Sequence, residues 1–487
     1  MTIENCAQLR ATYHRIRQAL PWLDATVWPE DKPAYAKFAQ PIDTDTVPGQ
    51  ILKYRPALGD EPRIMRYEPQ LSGPFDTLRG ALDRLAEAGV PLAVRHTEVD
   101  FDRMGELARQ HPRLAIIIES GDRKILYHLE AVEKLMNEHE NVYLSTFNFC
   151  NWLGIERLCG QGLGKRLLYG THMPRFSADA AMAPIIMAQV SWETKCDIAG
   201  NNLRRLLGLS LEEREEIPFQ APSPFIIDAH AHNLDANSKV EMRFPTPDET
   251  FSPQDWIAFM DHCALDRLLL IPMKPLFEPL EAAPLAYTRE LREAAPNRFF
   301  CFEVFYPDSD EAHASRIREA LREPGCIGIK IHPTTHDVPA DDDRYETAFK
   351  LAAEADKPIM THSWEVSTYN PAQHLSHPNR FRRWFEAYPQ VRFVLGHAGG
   401  RPTAFDAVVE ICEDFPQVSV DIAGDYYDNG LVDALADGVG VERVLFASDM
   451  NWMDPRVNLG PVLGAQLDDE GVLAVLRENA RRIYRLD

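Results

Sequence analysis

No stretch of this 487-residue sequence approaches the ~20 consecutive apolar residues that a membrane-crossing helix needs. Met1–Pro21 is charged and helical in pattern, without the apolar core of a signal peptide. No two of the eight cysteines have Cys-x-x-Cys spacing, and Cys301, Cys326 and Cys412 fall in apolar segments. This argues against a disulfide framework and for reduced, buried thiols, as in a cytoplasmic protein. Positive charge is also short. Lys and Arg number 51 against 74 Asp and Glu, a net charge of −23, which argues against nucleic acid and anionic membranes as partners. What remains is a globular composition, 45% hydrophobic and 26% charged, in a chain long enough for two or three domains. In so acidic a molecule an anionic substrate needs local positive charge, from Lys274, Lys330, Arg401 or a bound metal.

Eight short apolar segments, at 225–229, 267–272, 299–305, 326–331, 358–361, 392–396, 417–422 and 443–447, alternate with helical patterns. Strands that alternate with crossover helices predict a (β/α)8 barrel over 222–487, the size of an ordinary TIM-like barrel. Polar groups stand where these segments end: Asp228-Ala229-His230-Ala231-His232, Lys330 with His332, His362, His397 and Asp449. Residues two apart on a strand share a face, so both imidazoles of His230 and His232 point the same way. Imidazoles with one carboxylate suit zinc or a similar divalent ion with one position left for water. A lone His-x-His is weak, but such groups at five strand ends of one barrel are hard to explain by packing. His332 is open to two readings, a substrate contact or a core histidine bonded to a backbone carbonyl.

The first half repeats the second with these groups removed. His111-Pro112-Arg113-Leu114-Ala115-Ile116-Ile117-Ile118 lies over Tyr388-Pro389-Gln390-Val391-Arg392-Phe393-Val394-Leu395, and Tyr169-Gly170-Thr171-His172 over Phe446-Ala447-Ser448-Asp449. Asn202-Leu203-Arg204-Arg205 then meets Asn479-Ala480-Arg481-Arg482 at the same interval, and Ala86–Pro91 matches Ala353–Pro358. In that register Arg95 stands for His362, Ser120 for His397 and His172 for Asp449. The expected architecture is therefore a degenerate barrel-like domain without metal ligands at 1–216, complete or incomplete, and a catalytic barrel at 222–487. Ile217–Pro224 reads as the linker. No strand is recognisable before Arg63.

These motifs, with Gly328-Ile329-Lys330-Ile331-His332-Pro333, Gly396-His397-Ala398-Gly399-Gly400 and Glu478-Asn479-Ala480-Arg481-Arg482, resemble the amidohydrolase superfamily. Specifically, they resemble the amidohydrolase-2 group that includes relatives of aminocarboxymuconate-semialdehyde decarboxylase. The resemblance implies a single divalent metal, Zn2+ first and Mn2+ second, with His230, His232, His362 and Asp449 as its ligands. It implies His397 beside the metal water, and Asp449 as the acid–base group. Such an ion lowers the pKa of bound water towards ~7 and polarises a carbonyl or carboxylate. Lys330 would bind a substrate carboxylate as a plain ammonium, or be carboxylated as in two-metal members.

Weaker substrate-side candidates are His332, Arg401, Trp364 and Lys274, with Arg401 suited to a bidentate carboxylate contact. The group contains hydrolases and decarboxylases, so fold cannot choose between them. The leading expectation is hydrolysis of a small lactone, amide or ester. The alternative is non-oxidative decarboxylation of an aromatic or unsaturated acid. Ser363, where decarboxylase relatives often carry proline, leans against the second. Decarboxylase relatives also act as dimers that exchange an arginine, so a homodimer is one expectation. A first half that imitates a partner, through Arg95, Arg166 or Arg175, is another.

Overall fold

The computed structural model describes residues 2–27, 32–40, 51–53, 64–67, 77–120, 124–233, 252–277, 288–308, 310–366 and 370–486. They group into two compact units, Thr12–Phe219 and the residues from Gln220 on together with Met1–Ala11. The sequence-based division placed residues 1–11 in the first domain. In the structure the N-terminal helix Thr2–Ala19 is cut instead, because Arg10 Nη1 meets Asp469 Oδ1 at 3.0 Å and Nη2 meets the Ala465 carbonyl at 2.6 Å.

In the later unit eight strands form one sheet in strict chain order, β7 (Ile226–Asn233), β8 (Leu265–Pro272), β9 (Phe299–Val304), β10 (Cys326–Ile331), β11 (Ile359–His362), β12 (Phe393–Gly396), β13 (Val418–Asp421) and β14 (Val444–Leu445). Every neighbouring pair is parallel. The Ala229 N–H donates to the Phe446 carbonyl at 3.0 Å, and the Asp449 N–H to the His230 carbonyl at 2.9 Å. These bonds bring the last strand back to the first and close a barrel. All six residues of β10 and all four of β11, β12 and β13 are buried. Strands buried on both faces explain why the sequence shows unbroken apolar runs here rather than an alternation. Helices follow the strands. The one at Pro253–His262 starts in a capping box, with Ser252 Oγ accepting from the Asp255 N–H at 3.2 Å and Asp255 Oδ2 from the Ser252 N–H at 2.9 Å. Such caps contribute about 1 kcal/mol.

The earlier unit holds a six-stranded parallel sheet, β1 (Ile51–Lys53), β2 (Ile64–Arg66), β3 (Leu92–Arg95), β4 (Ile116–Glu119), β5 (Val142–Ser145) and β6 (Leu167–Leu168). The segment Leu23–Thr26 runs beside its last strand, with the Ala25 N–H bonded to the Tyr169 carbonyl at 2.9 Å. Leu23, Ala25, Ile64, Ala93, Ile117, Leu168 and Leu203 pack as one buried cluster, so this is a partial barrel with its own core. The two strands at the sheet's first edge have three residues each, too few to register as a periodic pattern. All eight cysteines are free, and all but Cys159 are buried. Among the described residues no helix is long and apolar enough to cross a membrane.

Candidate metal centre

At the carboxyl ends of the barrel strands the side chains of His230, His232 and Asp449 converge. Their ligand atoms all lie within 4.8 Å of one another, and the two histidines are 1% and 5% exposed. The tautomers follow from the partners. His232 Nδ1 faces the Ile271 carbonyl at 3.2 Å, and a carbonyl only accepts, so the proton sits on Nδ1. His230 Nδ1 likewise donates to Asp421 Oδ2 at 3.0 Å. Nε2 of each ring is thereby left as an acceptor: that of His232 lies 3.2 Å from Asp449 Oδ1, and that of His230 lies 3.4 Å from the same oxygen and accepts from Lys330 Nζ at 3.3 Å. Two imidazoles oriented by second partners and one carboxylate form a donor set that fits a divalent ion. A second group, His230, His397 and Asp421, also meets the distance condition. It shares His230 and includes Asp421, which already holds the Nδ1 proton of that ring, so the set with Asp449 is the one built for an ion.

Asp449 adopts φ 62°, in the left-handed region that Asp tolerates better than most residues. Burial alone would raise its pKa, but His397, His230 and His232 outweigh it and hold the carboxyl well below the usual range. It caps no helix, since the N-cap of Pro455–Leu463 is Asp454. His397, at φ 66°, donates Nδ1–H to the Ala423 carbonyl at 3.0 Å and stands 3.8 Å from Asp449 Oδ2. Its backbone N–H is fixed by Asp421 Oδ1 at 2.7 Å.

His362 lies beside this group but turns away from it. Its ring is 4.7 Å from that of His397, while Nε2 meets Gln373 Oε1 at 2.8 Å. The structure thus brings together three of the four expected ligands and sets the fourth on an amide. Lys330 does point into the barrel, 1% exposed, with Nζ 3.3 Å from His230 Nε2. Burial lowers its pKa to about 8, against the pull of Asp421 and Asp449.

His332 is not a histidine bonded to a backbone carbonyl. Its Nδ1 accepts the Thr335 N–H at 3.2 Å as the N-cap of Pro333–His336, so Nε2 carries the proton. Its ring stacks on His362 at 4.2 Å and 9°. Trp364 also stacks on His362, at 5.3 Å and 6°, and the Arg401 guanidinium lies 4.7 Å over the Trp364 ring. Gly400 is required there: at φ +70° a Cβ would come 2.3 Å from the indole. Arg401 does not stand ready for a substrate alone, because Nη1 contacts Asp425 Oδ1 at 3.2 Å. Arg166 is likewise engaged, with Nη1 on the Met136 and His139 carbonyls at 2.6 and 2.8 Å. Lys274 belongs to the helix Met273–Phe277 rather than ending β8, and its side chain lies outside the described residues.

Sequence reasoning missed Asp421, Gln373 and the role of Asp228. Asp228, fully buried, accepts N–H bonds from His230 and Ser448 at 3.2 and 3.1 Å and the Ser448 hydroxyl. A signal for Asp421 existed: like Asp449 it follows an apolar strand run, Val418-Ser419-Val420.

Several solved structures are similar to part of the chain. They include a 5-carboxyvanillate decarboxylase from Sphingomonas paucimobilis (17% identity, 54% of this chain and 100% of that one, TM-score 0.42). Another is the 5-carboxyvanillate decarboxylase from Novosphingobium aromaticivorans with manganese and 4-hydroxy-3-methoxy-5-nitrobenzoic acid (16%, 54% and 96%, 0.43). A third is 2,6-dihydroxybenzoate decarboxylase from Rhizobium (14%, 55% and 100%, 0.40). No curated protein matches the chain. The amidohydrolase family model matches residues 227–486, which contain every barrel strand but for the first residue of β7, and every residue of the donor set. The chain belongs to the amidohydrolase family.

Proposed function

We propose that this chain is a one-metal, non-oxidative decarboxylase of a planar, unsaturated carboxylic acid. The observation that carries the reading is the set of near-parallel rings beside His397, His332 on His362 and His362 on Trp364, with the Arg401 guanidinium over the indole. With their faces taken up by one another these rings present edges, and edge-to-face contact with a flat substrate is as favourable as an offset stack. Lys330, buried beside His230, supplies a positive charge at the depth where a carboxylate would sit. Ser363 no longer weighs against decarboxylation. Its Oγ donates to the Gly396 carbonyl at 2.6 Å and accepts the Gly399 N–H at 3.1 Å. That bonding explains the serine by the turn it holds rather than by the reaction.

A divalent ion at His230, His232 and Asp449, Zn2+ or Mn2+, would supply Lewis acidity toward the substrate oxygens. Lys330 binds and neutralises the carboxylate. The edges of Trp364 and the stacked imidazoles line the space beside His397 and keep water from it. Asp449 takes up a proton from solvent water and delivers it to the carbon from which CO2 departs, so that one carbon–carbon bond breaks, one carbon–hydrogen bond forms and no electrons are exchanged. Hydrolysis of a lactone, ester or amide is the second reading. It is favoured by the low pKa of Asp449, since a carboxylate that rests ionised is ready to accept a proton from water.

The test is to load the full chain with Mn2+ or Zn2+ and present hydroxybenzoates and unsaturated acids beside lactones, esters and amides. CO2 release from a planar acid is expected. It should fall by several orders of magnitude in Asp449→Asn, with the unfolding temperature nearly unchanged. Turnover of the esters or lactones alone would replace the lyase by the hydrolase. Full activity in Asp449→Asn would remove Asp449 from the mechanism.

A further inference from the structure

The two units draw the same hydrogen-bond diagram around different residues, and the comparison separates barrel scaffolding from site machinery. In the later unit Asp228 accepts the N–H of His230 at 3.2 Å and that of Ser448 at 3.1 Å, binds the Ser448 hydroxyl, and Ser448 Oγ accepts the Met450 N–H at 2.9 Å. In the earlier unit Asp24 accepts the N–H of Thr26 at 2.8 Å and that of Thr171 at 3.2 Å, binds the Thr171 hydroxyl, and Thr171 Oγ1 accepts the Met173 N–H at 3.0 Å. The match continues. The side-chain amide of Asn479 donates to the Val441 and Val444 carbonyls, and that of Asn202 to those of Gly164 and Leu167.

Strand register extends the correspondence to the site. Lys330 pairs with Met360, the second residue of β11, and Arg66 with Ala93, the second residue of β3. His362 and Arg95 each end their strands, as do Gly396 and Glu119, and Asp421 and Ser145. Thr26 therefore stands for His230, Arg95 for His362, Ser120 for His397, and His172 for Asp449. The buried Arg66 at the Lys330 position lies 3.4 Å from Glu119, which occupies the Gly396 position. The Asp24 tie persists in a unit that has none of the donor set, so that tie does not depend on the donor set. The carboxylate at the Asp421 position is gone where the imidazoles are gone. Only its scaffolding bond remains: Ser145 Oγ accepts the Phe147 N–H at 3.3 Å, as Asp421 Oδ1 accepts the Ala423 N–H at 3.1 Å.

We infer that Asp421 is a positioning residue of the ion-binding centre, and that Asp228, although nearer in sequence to the histidines, is a barrel tie with no part in holding the ion. This rests on the donor set proposed above. Asp421 Oδ2 holds the proton of His230 on Nδ1 and so exposes the Nε2 lone pair, while Oδ1 pins the backbone of His397. Asparagine would reverse the first bond. Its amide N–H would face Nδ1, drive the imidazole proton to Nε2 and block that nitrogen as a ligand.

The experiment is calorimetric titration of Mn2+ into the metal-free full chain as wild type, Asp421→Asn, Asp421→Ser, Asp228→Asn and His230→Ala, with the unfolding midpoint of each recorded. Asp421→Asn should bind Mn2+ about 10- to 100-fold more weakly, the usual effect of removing such a partner. Its midpoint should change little. Asp421→Ser, which installs the side chain the earlier unit carries, keeps the test open should asparagine impair folding, and should weaken binding in the same direction. Asp228→Asn should bind Mn2+ as the wild type does. Wild-type affinity in both Asp421 variants, alongside lost binding in His230→Ala, would overturn the role of Asp421 while leaving the donor set intact. Weakened binding in a well-folded Asp228→Asn would overturn the division between the two aspartates. Unchanged binding in His230→Ala would mean that the donor set itself is wrong.

Discussion

Asp24 shows what a carboxyl costs when it serves as scaffolding. It is fully buried, and burial raises its pKa from 3.8 to about 6 against the lowering effect of its bonds from Thr171 and Thr26. A folded-state pKa above the unfolded one means that the protonated form is favoured in the native state. The stabilisation is then complete below about pH 4 and is lost as pH rises through about 6. A shift of this size corresponds to roughly 3 kcal/mol. Asp24→Asn removes this dependence, so between pH 4 and pH 7.5 the variant should gain stability relative to the wild type by an amount of that order. Urea unfolding at the two pH values measures it. Parallel behaviour of the two proteins would show that Asp24 rests ionised at both.

At the scale of the element, legibility followed burial. The eight barrel strands could be read from the sequence because both faces are covered and each strand is a continuous apolar run. Their carboxyl ends singled out His230, His232, His397 and Asp449, which the fold brings close together, for the same reason, as polar residues closing apolar segments. β1 and β2 were invisible because three residues carry no period. Asp421 was missed because its role is defined by His230, a residue 191 positions away on the far side of the sheet order. His332 was ambiguous because a helix cap and a core histidine look alike until Thr335 is seen to donate to it. The turn after β12 illustrates the same dependence on cross-strand partners. Ser363, just beyond β11, bonds both the Gly396 carbonyl and the Gly399 N–H, and so holds His397 in its left-handed conformation. In Ser363→Ala the Gly396 carbonyl keeps the Ser363 backbone N–H at 3.2 Å, but the buried Gly399 N–H loses its partner, which should destabilise the protein by about 1–3 kcal/mol. Denaturant unfolding of the metal-free chain tests this, and an unchanged free energy would show that the turn is fixed by Asp421 alone.

For the molecule as a whole, two compact units with both candidate metal groups, which share His230, in the later one make a thermodynamic asymmetry among the described residues. An ion that binds only the native form stabilises what it binds by RT ln(1 + [L]/Kd), about 2.7 kcal/mol at a hundredfold excess over Kd. The earlier unit carries Thr26, Arg95, Ser120 and His172 where donors would be needed, and its buried Arg66 has a carboxylate of its own in Glu119. A cation at the centre of that unit would meet a guanidinium rather than an open pair of imidazoles. Heating the metal-free chain in a calorimeter, then repeating with Mn2+ or Zn2+ added, should therefore raise one unfolding transition and leave another where it was, since multidomain chains need not unfold in a single step. Elemental analysis of the chain purified without chelators should find about one ion per chain. A His230→Ala chain should lose both the ion and the shift. If that variant still carried an ion, or if the metal moved both transitions equally, the earlier unit would have to contain a binding site of its own or unfold only together with the barrel, and the assignment of one metal to one unit would fall.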